Sequence, residues 1–123
     1  MAITFSRPEP NIYVSTWSGV LTIDELSSAQ EEGREAARSY GDERYVLITD
    51  VTDVKRFPMD ISAFRKLIAT NPEVVATLVV NPPVPMQMMT DLLKKFQITM
   101  KVEAFKSLDA ALERARALLV EEA

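Results

Sequence analysis

A chain of 123 residues, 47% hydrophobic and 26% charged, has the balance expected of a single folded domain spanning residues 1–123. It contains no His and no Cys, which excludes disulfides, thiol nucleophiles, thiolate metal sites and any Ser-His-Asp or Cys-His mechanism within the chain. A formal net charge of −4 disfavours nucleic-acid phosphates and purely electrostatic docking to anionic membranes.

Met1-Ala2-Ile3-Thr4-Phe5 lacks the basic leader and long apolar stretch of a secretory signal, and Ile3-Thr4-Phe5 reads as a short strand. Pro8-Glu9-Pro10-Asn11 reads as a turn, because both prolines fix φ and Asn tolerates unusual angles. Residues 12–17 are β-branched and aromatic, so the two strands are expected to pair as an antiparallel hairpin. Thr22-Ile23-Asp24-Glu25 is a capping box, and the helix it opens carries Leu26, Ala29, Gly33, Ala36, Ala37 and Tyr40 on one face, with Gly41 as its stop.

Residues 45–49 and 74–80 are nearly continuous apolar runs, as in parallel strands covered on both faces. Val46, Leu47, Ile48, Leu78 and Val79 are therefore the predicted core. Between the runs, residues 50–58 read as a loop, followed by a helix carrying Ile61, Phe64, Leu67 and Ile68 that Asn71-Pro72 ends. Asn81-Pro82-Pro83-Val84-Pro85 is a stiff connector into a third helix with Met86, Met89, Leu93 and Phe96 aligned. Residues 102–105 form a last short strand, and Ser107 caps a helix whose stripe is Leu108, Ala111, Leu112, Ala115, Leu118 and Leu119. The expected architecture is α/β: a mixed, mostly parallel sheet with an N-terminal antiparallel hairpin and about four helices. The longest apolar run is far too short to span a bilayer, so no membrane span and a cytoplasmic location are expected.

Three stretches occur in a telling order. They are Trp17-Ser18-Gly19-Val20-Leu21-Thr22, then Val46-Leu47-Ile48-Thr49-Asp50-Val51-Thr52, then residues 102–112, Val102-Glu103-Ala104-Phe105 with the helix start after it. Together they resemble the strand-to-helix entry, the central strand ending in Asp, and the last strand and helix of the SpoIIAA-like, or STAS-like, proteins, related to bacterial anti-sigma-factor antagonists. In the phospho-regulated branch of that family, a kinase-type anti-sigma factor phosphorylates a serine at an Asp-Ser-Ser-Gly-like helix start. Asp60-Ile61-Ser62-Ala63 stands at the matching place once the preceding loop is allowed extra residues, with Ile61 for the first serine and Ala63 for the glycine. The resemblance thus implies Ser62 as the candidate phosphorylation site and a protein partner. It also extends to STAS/SEC14-like proteins, which implies a small apolar ligand as the alternative.

In parallel sheets, binding sites gather beyond the carboxyl ends of the strands. Those ends deliver Asp50, Thr52, Asp53 and Asp60 from the central region, and Asn81 from the next strand. One acid without a second catalytic group supports no mechanism, which favours a capping role for Asp50 over an enzyme built on it. Asp50, Asp53 and Asp60 have the charge for a hard cation but lack a glycine-containing calcium loop, so no metal and no cofactor are expected. The lone Trp17 and the methionines are expected to pack in the core. At 100° per residue, Met86, Leu93, Met89, Phe96, Leu92 and Met88 fill an arc of about 160°, wider than the roughly 100° a sheet covers. Met88 and Leu92 lie at its margin, and Ala63 and Leu67 at the margin of the preceding helix. These four are candidates for an apolar groove that takes a partner helix, a second copy as a homodimer, or an acyl chain. The expected function is a non-catalytic cytoplasmic regulatory or protein-interaction module. A carrier or sensor of a small apolar ligand is the alternative, and an enzyme using Asp50 the third reading.

Overall fold

The protein is described by a computed structural model covering residues 3–56, 73–95 and 101–122, without the side chains of residues 89–90, 92–95, 101 and 122. Thr22 begins helix α1 (Ile23–Tyr40) as its capping box predicts. Its hydroxyl accepts from the Glu25 amide at 3.2 Å and donates to the Glu25 carboxylate at 3.1 Å. The reciprocal bond therefore runs to the hydroxyl, where the sequence pointed to the Thr22 amide. At the other end Gly41 takes φ 76°, and the amides of Gly41 and Asp42 donate to the carbonyls of Arg38 and Ala37. This left-handed stop suits glycine and turns Asp42 back toward the sheet.

The strands are β1 (Ile3–Glu9), β2 (Ile12–Val20), β3 (Tyr45–Arg56), β4 (Val74–Val80) and β5 (Lys101–Phe105), and the two later helices are α2 (Val84–Lys95) and α3 (Leu108–Glu122). They make one five-stranded sheet in sequence order β1-β2-β3-β4-β5. β1 pairs antiparallel with β2, and the other three pairings are parallel. Alternation along the strands then divides the core in two. Ile12, Val14, Val46, Ile48, Ala76, Leu78 and Val80 pack with Ala111, Ala115 and Leu118 of α3 on one face. Ile3, Val51 and Val79 pack with Leu26 and Ala29 of α1 and Met86 of α2 on the other. Gly33 lets α1 lie close to the sheet: a Cβ there would stand 3.3 Å from the Phe5 ring.

Val46, Ile48, Leu78 and Val79 are buried as expected, but Leu47 is only partly so, because it lies at the rim of the small cluster of Tyr13, Ala37, Tyr45 and Val74. Tyr40 and Leu108, placed on buried stripes by their spacing, are 60% and 37% exposed. Both stand at helix ends, where the stripe runs off the sheet. Three expected boundaries also move. β1 continues through Pro8 to Glu9, since proline's missing donor costs nothing on an edge strand. β3 runs on to Arg56 along β2, so Asp50 lies within a strand and residues 51–56 are not loop. α2 starts before Pro85, whose missing amide falls in the first turn. Three helices occur among the described residues; the fourth, with Ile61, Phe64, Leu67 and Ile68, falls outside them, as do Phe96 and the side chains of Met89 and Leu93. Among the described residues no helix is long and apolar enough to cross a membrane.

Candidate functional site

At the carboxyl ends of the parallel strands, Asp50, Thr52 and Asn81 form one hydrogen-bonded group. Asp50 is the last residue of β3 that pairs with β4, opposite Val80, and β2 takes an extra β3 residue between the Thr16–Asp50 and Ser18–Asp53 pairs. That bulge folds Thr52 back over Asp50. One carboxylate oxygen of Asp50 accepts from the Thr52 amide at 3.0 Å and from the Thr52 hydroxyl at 2.6 Å. The Thr52 hydroxyl in turn accepts from the Asn81 side-chain amide at 2.9 Å. Asn81 has φ 56°, a left-handed conformation that Asn tolerates better than most residues, and its backbone amide donates to the Phe105 carbonyl at 2.8 Å. The group thus joins β3, at the point where its pairing with β4 stops, to the ends of β4 and β5.

Thr52, Asp53 and Asn81 are exposed and Asp50 is partly buried. Three residues after Asn81, the first turns of α2 present Val84 and Met88 at 71% and 61% exposure, four residues apart on one helix face. Met86 points the other way, into the core. The surface is therefore a polar, internally bonded rim next to a small apolar step. Both bonds from Thr52 fall on the same Asp50 oxygen, which therefore acts as a local structural acceptor. Among the described residues, no group of three or more acids stands together to hold a metal ion. Asp60, Ser62, Ala63 and Leu67 and the side chain of Leu92 lie outside the described residues. Trp17 is half-buried in the α1-side core and its indole N–H donates to the buried Ser15 hydroxyl.

A second polar group, at the amino ends of the strands, has no counterpart in the sequence reading. Asp42 is 8% exposed. It accepts from Arg7 Nε at 3.0 Å, Arg7 Nη2 at 3.1 Å and the Tyr13 hydroxyl at 2.7 Å. Arg7 also lies 4.2 Å over the Tyr40 ring, and Tyr13 meets Tyr45 edge-on with centroids 5.1 Å apart. Burial pushes the Asp42 carboxyl up, but the donors from Arg7 and Tyr13 outweigh it and hold the carboxyl below its ordinary value. Burial, then the bond to Asp42, pushes the Tyr13 phenol up. A cleft of about 310 Å³ adjoins this group, lined among others by Arg34, Arg38, Asp42, Glu43 and Glu73. The only sequence signal for Asp42 is that it follows a glycine helix stop.

No family model matches the chain. No curated protein matches it either. Solved structures do. An uncharacterised DUF3478-family protein from Shewanella loihica PV-4, described as having a SpoIIAA-like fold, aligns over 93% of this chain and 92% of its own, with TM-score 0.65 and 14% identity. The anti-sigma factor antagonist SpoIIAA in its unphosphorylated form aligns over 94% and 98%, with TM-score 0.58 and 15% identity. The chain has the SpoIIAA-like, or STAS-like, fold. A putative anti-sigma factor antagonist from Thermotoga maritima shares that SpoIIAA-like architecture over 93% and 94%, with TM-score 0.61 and 11% identity. Such coverage extends the three-stretch resemblance of the sequence to the whole arrangement of strands and helices.

Proposed function

We propose that this chain is a single, non-catalytic regulatory domain of the cytoplasm that acts by binding another protein. Its docking surface is the carboxyl end of the sheet, made of Asp50, Thr52 and Asp53 together with Val84 and Met88 of the helix that begins three residues after Asn81. The observation that carries this reading is the exposure of Val84 and Met88 beside a polar rim whose hydrogen bonds are already made internally. An apolar anchor ringed by polar groups is how protein interfaces are built. The similarity in fold to proteins described as anti-sigma factor antagonists supports the same reading. Ser62 follows β3 in the chain by six residues and is the proposed phosphorylation site. A phosphate there adds about −1.5 to −2 charges near Asp60 and weakens the binding of an acidic partner.

The test is quantitative capture from an extract of the source cell with the wild-type chain, with Met88→Lys, and with Glu35→Lys on α1 as a control. A protein held by the wild type and the control but released about tenfold or more by Met88→Lys supports the surface. If every captured protein binds Met88→Lys as well as the wild type, the surface is wrong. Phosphopeptide mapping that finds Thr52 modified and Ser62 bare removes Ser62 from the proposal.

A further inference from the structure

β1 is attached to the rest of the fold by little apolar burial. Of its side chains Ile3 is buried and Phe5 partly so, whereas Thr4, Ser6 and Pro8 are exposed. The adjacent β2 buries Ile12, Tyr13, Val14 and Ser15. β1 is also an edge strand and, among the described strands, the one that pairs antiparallel with its only neighbour, so it can leave without disturbing a parallel pairing.

The hairpin end of β1 is held differently, by two arginine–carboxylate clamps that reach opposite helix layers. Arg7 donates through two nitrogens to Asp42, just past the end of α1. Glu9 accepts from Arg116 of α3, with Nε at 2.9 Å from one carboxylate oxygen. In a regular strand residues 7 and 9 point to the same face. The register shift between Ser6 and Glu9 turns them apart, so one short segment grips both layers.

We infer that β1 is a strap latched at its hairpin end, and that acid releases it as a unit before the parallel sheet unfolds. Protonation of Asp42 removes the acceptor for Arg7, and protonation of Glu9 removes the acceptor for Arg116. Tyr13, Arg34, Arg38, Glu43 and Glu73 surround Asp42, and Arg116 also faces Asp109 and Glu113 of its own helix. Bonds to Arg116 hold the Glu9 carboxyl below its ordinary value, as those to Arg7 and Tyr13 do for Asp42. The hold of both clamps is therefore complete above the ordinary carboxylate range and is lost as pH falls through the lowered values of the folded state. The contacts of β3 and β4 with α3 are apolar and do not titrate, which separates the two events.

Hydrogen exchange by mass spectrometry on the full chain, between pH 7 and about pH 2.5 and corrected for intrinsic exchange, reads the release directly. Exchange in residues 3–9 and in the β2 amides that face them rises roughly tenfold or more, with residues 46–48 and 76–80 still protected. Glu9→Gln and Asp42→Asn raise β1 exchange already at pH 7 and flatten its pH dependence. Loss of protection in β1 and in the central strands together overturns the inference. So does a β1 that stays closed at about pH 2.5 while the central strands remain protected, or a Glu9→Gln variant that keeps the wild-type pH dependence.

Discussion

At the amino ends of the parallel strands, Asp42 is buried and bonded to residues 29 and 35 positions away in sequence. At the carboxyl ends, Asp50 is partly exposed and bonded within two residues. The first arrangement can exist only when the fold is complete, and its loss leaves Arg7 and Tyr13 without their acceptor. The second is made by local geometry and stays in contact with solvent. Charge of the first kind serves the scaffold, and charge of the second kind stays open to solvent.

The centre of the sheet sets the scale for breaking this contrast. Ile48 has no exposed surface, and Ile48→Ala is expected to cost about 2–5 kcal/mol in urea unfolding through the cavity it leaves. At the amino end, Asp42→Ala is expected to cost about 3 kcal/mol, because it strands the buried Tyr13 hydroxyl and frees the Arg7 charge. The pH dependence sharpens the contrast. Asp42 has a lowered carboxyl in the folded state, so its stabilisation is present above the ordinary carboxylate range and falls away in acid. Urea midpoints measured from pH 7 to pH 3 should therefore fall less steeply for Asp42→Asn than for the wild type. At the carboxyl end the effects are smaller. Thr52→Val removes two exposed hydroxyl bonds and should cost about 1 kcal/mol or less. Asn81→Gly loses its side-chain bond but relaxes a left-handed backbone, and its midpoint should stay within about 0.5 kcal/mol of wild type. A Thr52→Val variant that unfolds like Asp42→Ala would erase the distinction between the two ends.

The sequence is most readable where one residue carries a local signal. Thr22, Gly41 and Ser107 act at their helix ends, with Ser107 accepting from the Ala110 amide at 3.2 Å. The runs over β3 and β4 read as buried strands because both faces of the sheet are covered there. Strand ends are less readable. Asp53 and Arg56 look like loop, yet they pair along β2, and Pro8 looks like a turn, yet an edge strand accommodates it. Asp50 and Thr52 could be placed at the carboxyl edge from the order of elements. The bond from Asn81 spans 29 residues and depends on the register of β3 against β4, which composition does not encode. The Arg7–Asp42 clamp spans 35 and is hidden for the same reason.

Helix α3 comes after every described strand, yet among the described residues it is the helix that covers one side of the sheet, through Ala111, Ala115 and Leu118. During synthesis, therefore, the five described strands emerge before Ala111, Ala115 and Leu118 can lie against them. Val46, Ile48 and Leu78 then wait in water, or in the shelter of a chaperone, until residues 108–122 clear the ribosome. A stop codon placed just before Ser107 leaves every strand intact and should still give an aggregating product, because the missing piece is a lid and not a strand.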